Sequence, residues 1–155
     1  TIFNGFELRA AVTPYTGGGY MHATDDRTPV TFITRYYLDK IKRLCDAHGT
    51  KLLFVTAPSP VNHTMQRHNE VQALADALAV PYLDLNLNTE ELGIDWNLDT
   101  LDGGDHLNYT GCQKATAYLQ WYMQTHYTLP DRRDDVRYEA WNKQAEEFEK
   151  LLPQP

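Results

Sequence analysis

Lys51-Leu52-Leu53-Phe54-Val55-Thr56 is an unbroken, mostly apolar run, ended at once by Ala57-Pro58-Ser59-Pro60. A short run of this kind, closed by prolines, predicts a strand buried on both faces, as in parallel sheets. Downstream, Val71, Leu74, Ala75 and Leu78 recur at helical spacing, and Pro81 to Leu85 reads as another short strand with proline at its first position. Strand, helix and strand in this order predict a βαβ unit and parallel pairing across a helical connection. Upstream, Ile33, Tyr37, Ile41 and Leu44 mark a helix over residues 31–48, with Gly49 placed to end it. A third helix is predicted over residues 109–127, with Cys112, Ala115, Leu119 and Tyr122/Met123 on one face. Leu129-Pro130 breaks it.

The flanks are less regular. Residues 1–30 have no sustained period and read as an irregular lead-in, with a short strand over Phe6 to Val12 and a flexible loop at Thr16-Gly17-Gly18-Gly19-Tyr20. Residues 31–128 form the α/β core portion. Within residues 129–155, Val136, Trp141, Ala145, Phe148 and Leu152 predict a peripheral amphipathic helix. A chain of 155 residues, 42% hydrophobic and 23% charged, has ordinary globular composition. The net charge is −7 with no lysine/arginine cluster, which argues against nucleic acid as a partner. No run approaches the roughly 18 apolar residues of a membrane-spanning helix. Cys45 and Cys112 are too few for a disulfide framework or a cysteine zinc site and read as buried free thiols. The chain opens on Thr1 and reads as a segment of a longer polypeptide.

In an open parallel sheet, ligands gather beyond the carboxyl ends of the strands. That directs attention to residues 57–67 and 86–108. The second stretch contains Asp99-Thr100-Leu101-Asp102-Gly103-Gly104-Asp105-His106-Leu107-Asn108. Asn108 suits the N-cap of the following helix. A carboxylate on one ring nitrogen of His106 would fix its tautomer and leave the other to accept a proton, the requirement for a general base. A glycine- and aspartate-rich turn carrying an ordinary polar histidine is the alternative. Trp96 is placed to stack on a sugar ring or to anchor its long loop. His63 and His68 could line the site or bind a metal, or be surface histidines, and no carboxylate stands at a recognisable ligand spacing from them.

The run from Asp102 to Gly111, followed by Lys114-Ala115-Thr116-Ala117-Tyr118-Leu119, resembles the last block of the SGNH (GDSL-type) hydrolase-like proteins. The order of elements over residues 31–127 is also similar. The tail Leu129-Pro130-Asp131-Arg132 resembles tails of a bacterial, often envelope-associated subgroup. The resemblance implies a flavodoxin-like, three-layer α/β fold, here its C-terminal part, without a cofactor. It also implies cleavage or transfer of acyl esters on small molecules or glycans, in an extracytoplasmic or cell-envelope setting. Carried over, His106 is the base. The family's acid position, three residues before it, is Gly103, so Asp102 is preferred and Asp105 is the alternative. His63, Trp96 and Asn108 are assigned to substrate.

The family's Gly-Asp-Ser motif and its oxyanion glycine and asparagine have no counterpart. Ser59 is the only serine, and Pro58 and Pro60 beside it lack N–H groups for an oxyanion. A nucleophile from upstream polypeptide is therefore expected. A non-catalytic module binding glycan or protein is the competing reading.

Overall fold

Along the chain, the elements are β1 (Ile2–Phe3), β2 (Phe6–Glu7), α1 (Phe32–Ala47), β3 (Phe54–Thr56), α2 (Met65–Leu78), β4 (Tyr82–Asp84), α3 (Thr89–Leu92), α4 (Tyr109–His126) and α5 (Glu139–Glu149), with short 3-10 turns at Leu85–Asn88 and Val136–Tyr138. They come from a computed structural model that describes residues 6–152 and the backbone of residues 2 and 3. Two compact units emerge, one of residues 10–116 and one formed by the residues on either side of that span. Their boundary falls inside α4.

The larger unit is built on the expected βαβ segment. β3 and β4 pair in parallel, with Phe54, Val55 and Thr56 opposite Tyr82, Leu83 and Asp84. Thr31 and Thr64 cap α1 and α2 by accepting backbone N–H groups from Thr34 and Arg67. The helix after Thr64 thus starts six residues before the first predicted apolar position, Val71. The core comprises Leu74 and Ala75 of α2, Val80, Leu83 and Leu85 around β4, and Leu92 of α3. Glu70, buried on α2, is paired with Arg35 of α1 and also accepts the Val30 N–H.

Two expectations fail here. β3 is not buried on both faces, since Val55 is 41% exposed. The stripe Ile33, Tyr37, Ile41 and Leu44 faces solvent, and no residue of α1 is buried. A parallel sheet of only two strands among the described residues leaves its helical layer little to pack on.

The segment read as an irregular lead-in has no helix or strand over residues 8–30, yet it is tied into the fold. The Thr13 N–H bonds to the Thr100 carbonyl at 3.1 Å, the Tyr15 N–H to Trp96 at 2.9 Å, and the Gly103 N–H returns to Thr13 at 3.0 Å. Residues 13–15 therefore form a wall along the loop that contains the Asp/His run. Only Phe6 and Glu7 of the predicted Phe6–Val12 strand are extended, paired antiparallel with Ile2 and Phe3.

In the smaller unit, the Phe6 ring meets Phe148 of α5 edge-on, with centroids 5.4 Å apart. The predicted face of α5 is covered only in part, because Val136 and Trp141 remain 79% and 60% exposed. The face of α4 holds as expected, with Cys112, Ala115, Leu119, Tyr122 and Met123 half-buried. Both cysteines are free and half-buried, and burial raises the Cys112 thiol pKa. No helix among the described residues is long and apolar enough to cross a membrane.

Candidate functional site

The Asp/His loop is tied off by an antiparallel bridge between Thr100 and Leu107. Within it, Leu101 N–H bonds to the His106 carbonyl at 2.9 Å. The Thr100 hydroxyl oxygen accepts the Gly104 N–H at 2.7 Å and donates to the His106 carbonyl at 3.3 Å. Gly103 and Gly104 have φ of 77° and 99°, values that only glycine adopts readily. Gly104 also lacks room for a side chain: an added Cβ would lie 2.8 Å from both Pro60 and the Tyr15 ring.

These constraints bring Asp102 onto His106 twice. One carboxylate oxygen accepts the His106 backbone N–H at 2.8 Å, and the other meets ring Nδ1 at 2.7 Å. The Asp105 carboxylate lies 3.7 Å from the same nitrogen, within ion-pair reach but beyond a hydrogen bond. It is held instead by the side-chain amide of Asn62. The imidazole is 66% exposed. The Asp102 hydrogen bond, followed by the charge of Asp105, raises the His106 pKa, and the bond from His106 lowers that of Asp102. With Nδ1 engaged, Nε2 is the nitrogen left to take up a proton.

Ser59 fastens this loop to the end of β3. Its hydroxyl donates to the carbonyls of Asp105 at 2.8 Å and Gly104 at 3.2 Å, and its N–H bonds to Asn86 at 2.9 Å. The hydroxyl is occupied by backbone oxygens, which suits a structural serine and not an activated nucleophile. The loop thus lies where ligands gather in an open parallel sheet.

The remaining assigned residues divide. Asn108 is buried. Its amide donates to the Leu98 and Ala11 carbonyls, and its oxygen accepts the Gly111 N–H and the Thr110 hydroxyl. It caps α4, but every side-chain bond is made internally, so the expected substrate contact does not hold. His63 is likewise withdrawn from any surface role. It is 6% exposed, and its Nε2 bonds to Asp84 Oδ2 at 2.8 Å. His68 Nδ1 reaches the same oxygen at 2.8 Å, so neither histidine is a surface residue by default.

Asp84, at the carboxyl end of β4, is the centre that the sequence did not single out. It takes hydrogen bonds from both histidines, from the Tyr82 hydroxyl, and from the backbone and side chain of Asn86. Burial alone would raise the Asp84 pKa, but these donors outweigh it and hold the carboxyl well below the ordinary carboxylate range.

Among the described residues, Asp102, Asp105 and His106 are the group with ligand atoms close enough for a metal, all within 4.8 Å. The direct bond between Asp102 and Nδ1 engages two of those ligands with each other.

No family model, curated protein or solved structure matches this chain.

Trp96 is half-buried, and its ring meets Tyr15 and Tyr20 edge-to-face at 6.1 and 6.0 Å between centroids. The three rings border a cleft of about 500 Å³ whose other walls include the Gly17–Gly19 loop and Asn86. Tyr15 and Tyr20 were not found in the sequence because neither falls in a periodic segment. The one available signal was the density of aromatic and glycine residues in 15–20.

Proposed function

We propose that this chain supplies the general base, His106, and its orienting acid, Asp102, of an SGNH-type serine ester hydrolase or acyltransferase. The observation that carries the reading is the 2.7 Å bond from Asp102 to His106 Nδ1, on a loop fastened to the carboxyl end of a parallel strand by Ser59. In this mechanism Nε2 takes the proton of a serine hydroxyl as its oxygen attacks an acyl carbonyl. The imidazole then returns that proton to the leaving alcohol. Water or a second hydroxyl reverses the sequence. The substrate is an acyl ester of a small molecule or glycan, and no cofactor takes part.

The nucleophile comes from upstream polypeptide of the same protein, because the hydroxyl of Ser59, the only serine, is held by backbone carbonyls. The two-stranded sheet is then part of a flavodoxin-like, three-layer sheet. The exposed stripe on α1 and the exposed Val55 support this, as they are the surfaces that further strands and helices would cover. An extracytoplasmic or bacterial cell-envelope location belongs to the same reading.

The test is labelling of the upstream-extended protein with a fluorophosphonate probe. Labelling is expected, with loss in His106→Ala and slowing on the order of 10³–10⁴-fold in Asp102→Asn. Labelling indifferent to His106→Ala overturns the mechanism. Absence of labelling with retained glycan or protein binding favours a non-catalytic module, the reading that the engaged Ser59 hydroxyl also allows.

A further inference from the structure

We infer that the cleft bordered by Tyr15, Tyr20 and Trp96 is a binding site for an uncharged hexopyranose unit of a glycan. This deepens the proposed function by naming the substrate class, and it rests on that reading only for what the bound sugar is presented to.

The cleft has the dimensions of a small-ligand site, about 500 Å³. A pyranose offers C–H groups on its faces and hydroxyls around its rim. It is matched by an aromatic wall with polar groups at the edges. The edge-to-face packing of both tyrosines on Trp96 holds the three rings as an angled wall. The Tyr15 hydroxyl donates to the Gly18 carbonyl at 3.1 Å, and the Tyr20 hydroxyl to Asn86 at 3.1 Å, so both rings are anchored. His22 and Thr89 add hydrogen-bonding side chains to the lining. The glycine loop lies close against the wall, since an added Cβ at Gly17 would come within 2.6 Å of the Tyr15 ring.

The lining sets the charge of the ligand. It contains no lysine, arginine, aspartate or glutamate. A phosphate, a nucleotide or a uronate would find no lysine or arginine there. A purely aliphatic chain would offer the His22 and Thr89 side chains of the lining no hydrogen-bonding partner. The neutral sugar satisfies both the rings and the polar edge.

Tyr15 connects this cleft to the Asp/His loop. Its ring packs against Gly104, two residues before His106, and its backbone N–H is bonded to Trp96. A sugar on the aromatic wall is therefore next to the loop that carries the base.

The experiment is an NMR titration of the full chain with cellohexaose, maltohexaose and chitohexaose, with hexagalacturonate as the anionic comparison. At least one neutral hexamer is expected to shift the Trp96 indole N–H and the amides of residues 15–22. Trp96→Ala is expected to weaken that binding about tenfold or more. Trp96→Phe, which keeps a ring and guards against loss of fold, should give an intermediate affinity. Trp141→Ala, at an exposed tryptophan outside the cleft lining, should bind like the parent chain. No shift with any neutral hexamer at millimolar concentration, equal binding by hexagalacturonate, or binding unchanged in both Trp96 variants overturns the inference. Failure of fluorophosphonate labelling leaves it standing.

Discussion

Asp102 grips His106 by backbone and ring together, at 2.8 Å and 2.7 Å, while Asp105 stands 3.7 Å from the same ring nitrogen. The two acids therefore act differently. Asp102 acts through a hydrogen bond, Asp105 through charge alone, and both favour the imidazolium. The folded-state pKa of His106 lies above the ordinary value of about 6.5. The stabilisation this gives is present below the unfolded value and is lost as pH rises through the folded one. In the proposed mechanism base catalysis needs the neutral ring, so esterase activity of the upstream-extended protein should climb with pH across that folded value. In an NMR titration of the ring, Asp102→Asn should lower the midpoint, and Asp105→Asn should lower it less. Equal effects would show that the hydrogen bond has no special part.

Asp84 fixes the proton positions of two imidazoles. An ionised carboxylate only accepts, so His63 must carry its proton on Nε2 and His68 on Nδ1. Long-range nitrogen–proton correlation spectra should show these opposite tautomers wherever the rings are neutral. Asp84→Ala would leave both rings without this acceptor, while Tyr82 and the Asn86 side chain keep their bonds to Thr56 and Ala57. It should cost about 3–5 kcal/mol, read by urea unfolding. Because the folded carboxyl titrates below the ordinary range, its contribution is complete above that range and is lost as pH falls through the folded value.

What the sequence could reveal depended on distance along the chain. The helices at Met65–Leu78 and Tyr109–His126 were legible because repeating apolar positions report a shared face. Asp102 and His106 were legible as partners because they are four residues apart in one glycine-containing loop. The bonds of Asp84 to His63, Ser59 to Asp105 and Thr13 to Thr100 join residues 21, 46 and 87 positions apart, and no local pattern encodes them. Periodicity identified the stripe on α1 but could not say what covers it. The buried His63 shows the same limit: residue type indicated polarity, and only the fold revealed that it was already engaged by Asp84.

Gly104 and Gly18 should respond differently to the same substitution. At Gly104, alanine meets a φ of 99° and two contacts at 2.8 Å, with Pro60 and Tyr15. Gly104→Ala should destabilise by about 1–3 kcal/mol and disturb the Asp102–His106 bond. At Gly18 an added methyl meets nothing within 4 Å, so Gly18→Ala should leave the melting temperature close to that of the parent. Thermal unfolding of the two variants side by side checks the pair. Equal stability would mean that the Tyr15 ring does not press on the Asp/His loop.

Asp99 joins the start of α4 to the loop before it, and its removal should be felt well beyond one ion pair. Its buried carboxylate takes Lys114 Nζ at 2.5 Å, the Asp95 N–H at 2.7 Å and the Thr110 hydroxyl at 2.8 Å. Burial works to raise its pKa, but these donors prevail and lower it. Asp99→Ala leaves the Asp95 N–H without its carboxylate and Lys114 without its counter-ion, and should cost about 3–5 kcal/mol. Lys114→Met should cost less, since Asp95 and Thr110 still hold the carboxylate, but it should raise the acid midpoint of unfolding. With Lys114 gone the folded carboxyl titrates higher, so its stabilisation is lost at a higher pH as acid is added. The double variant Asp99→Asn/Lys114→Met should be less destabilised than the sum of its two single changes, because neither charge is left without its partner. Strict additivity in urea unfolding would mean that the pair is held apart in solution and that the turn, not the charge, fixes the start of α4.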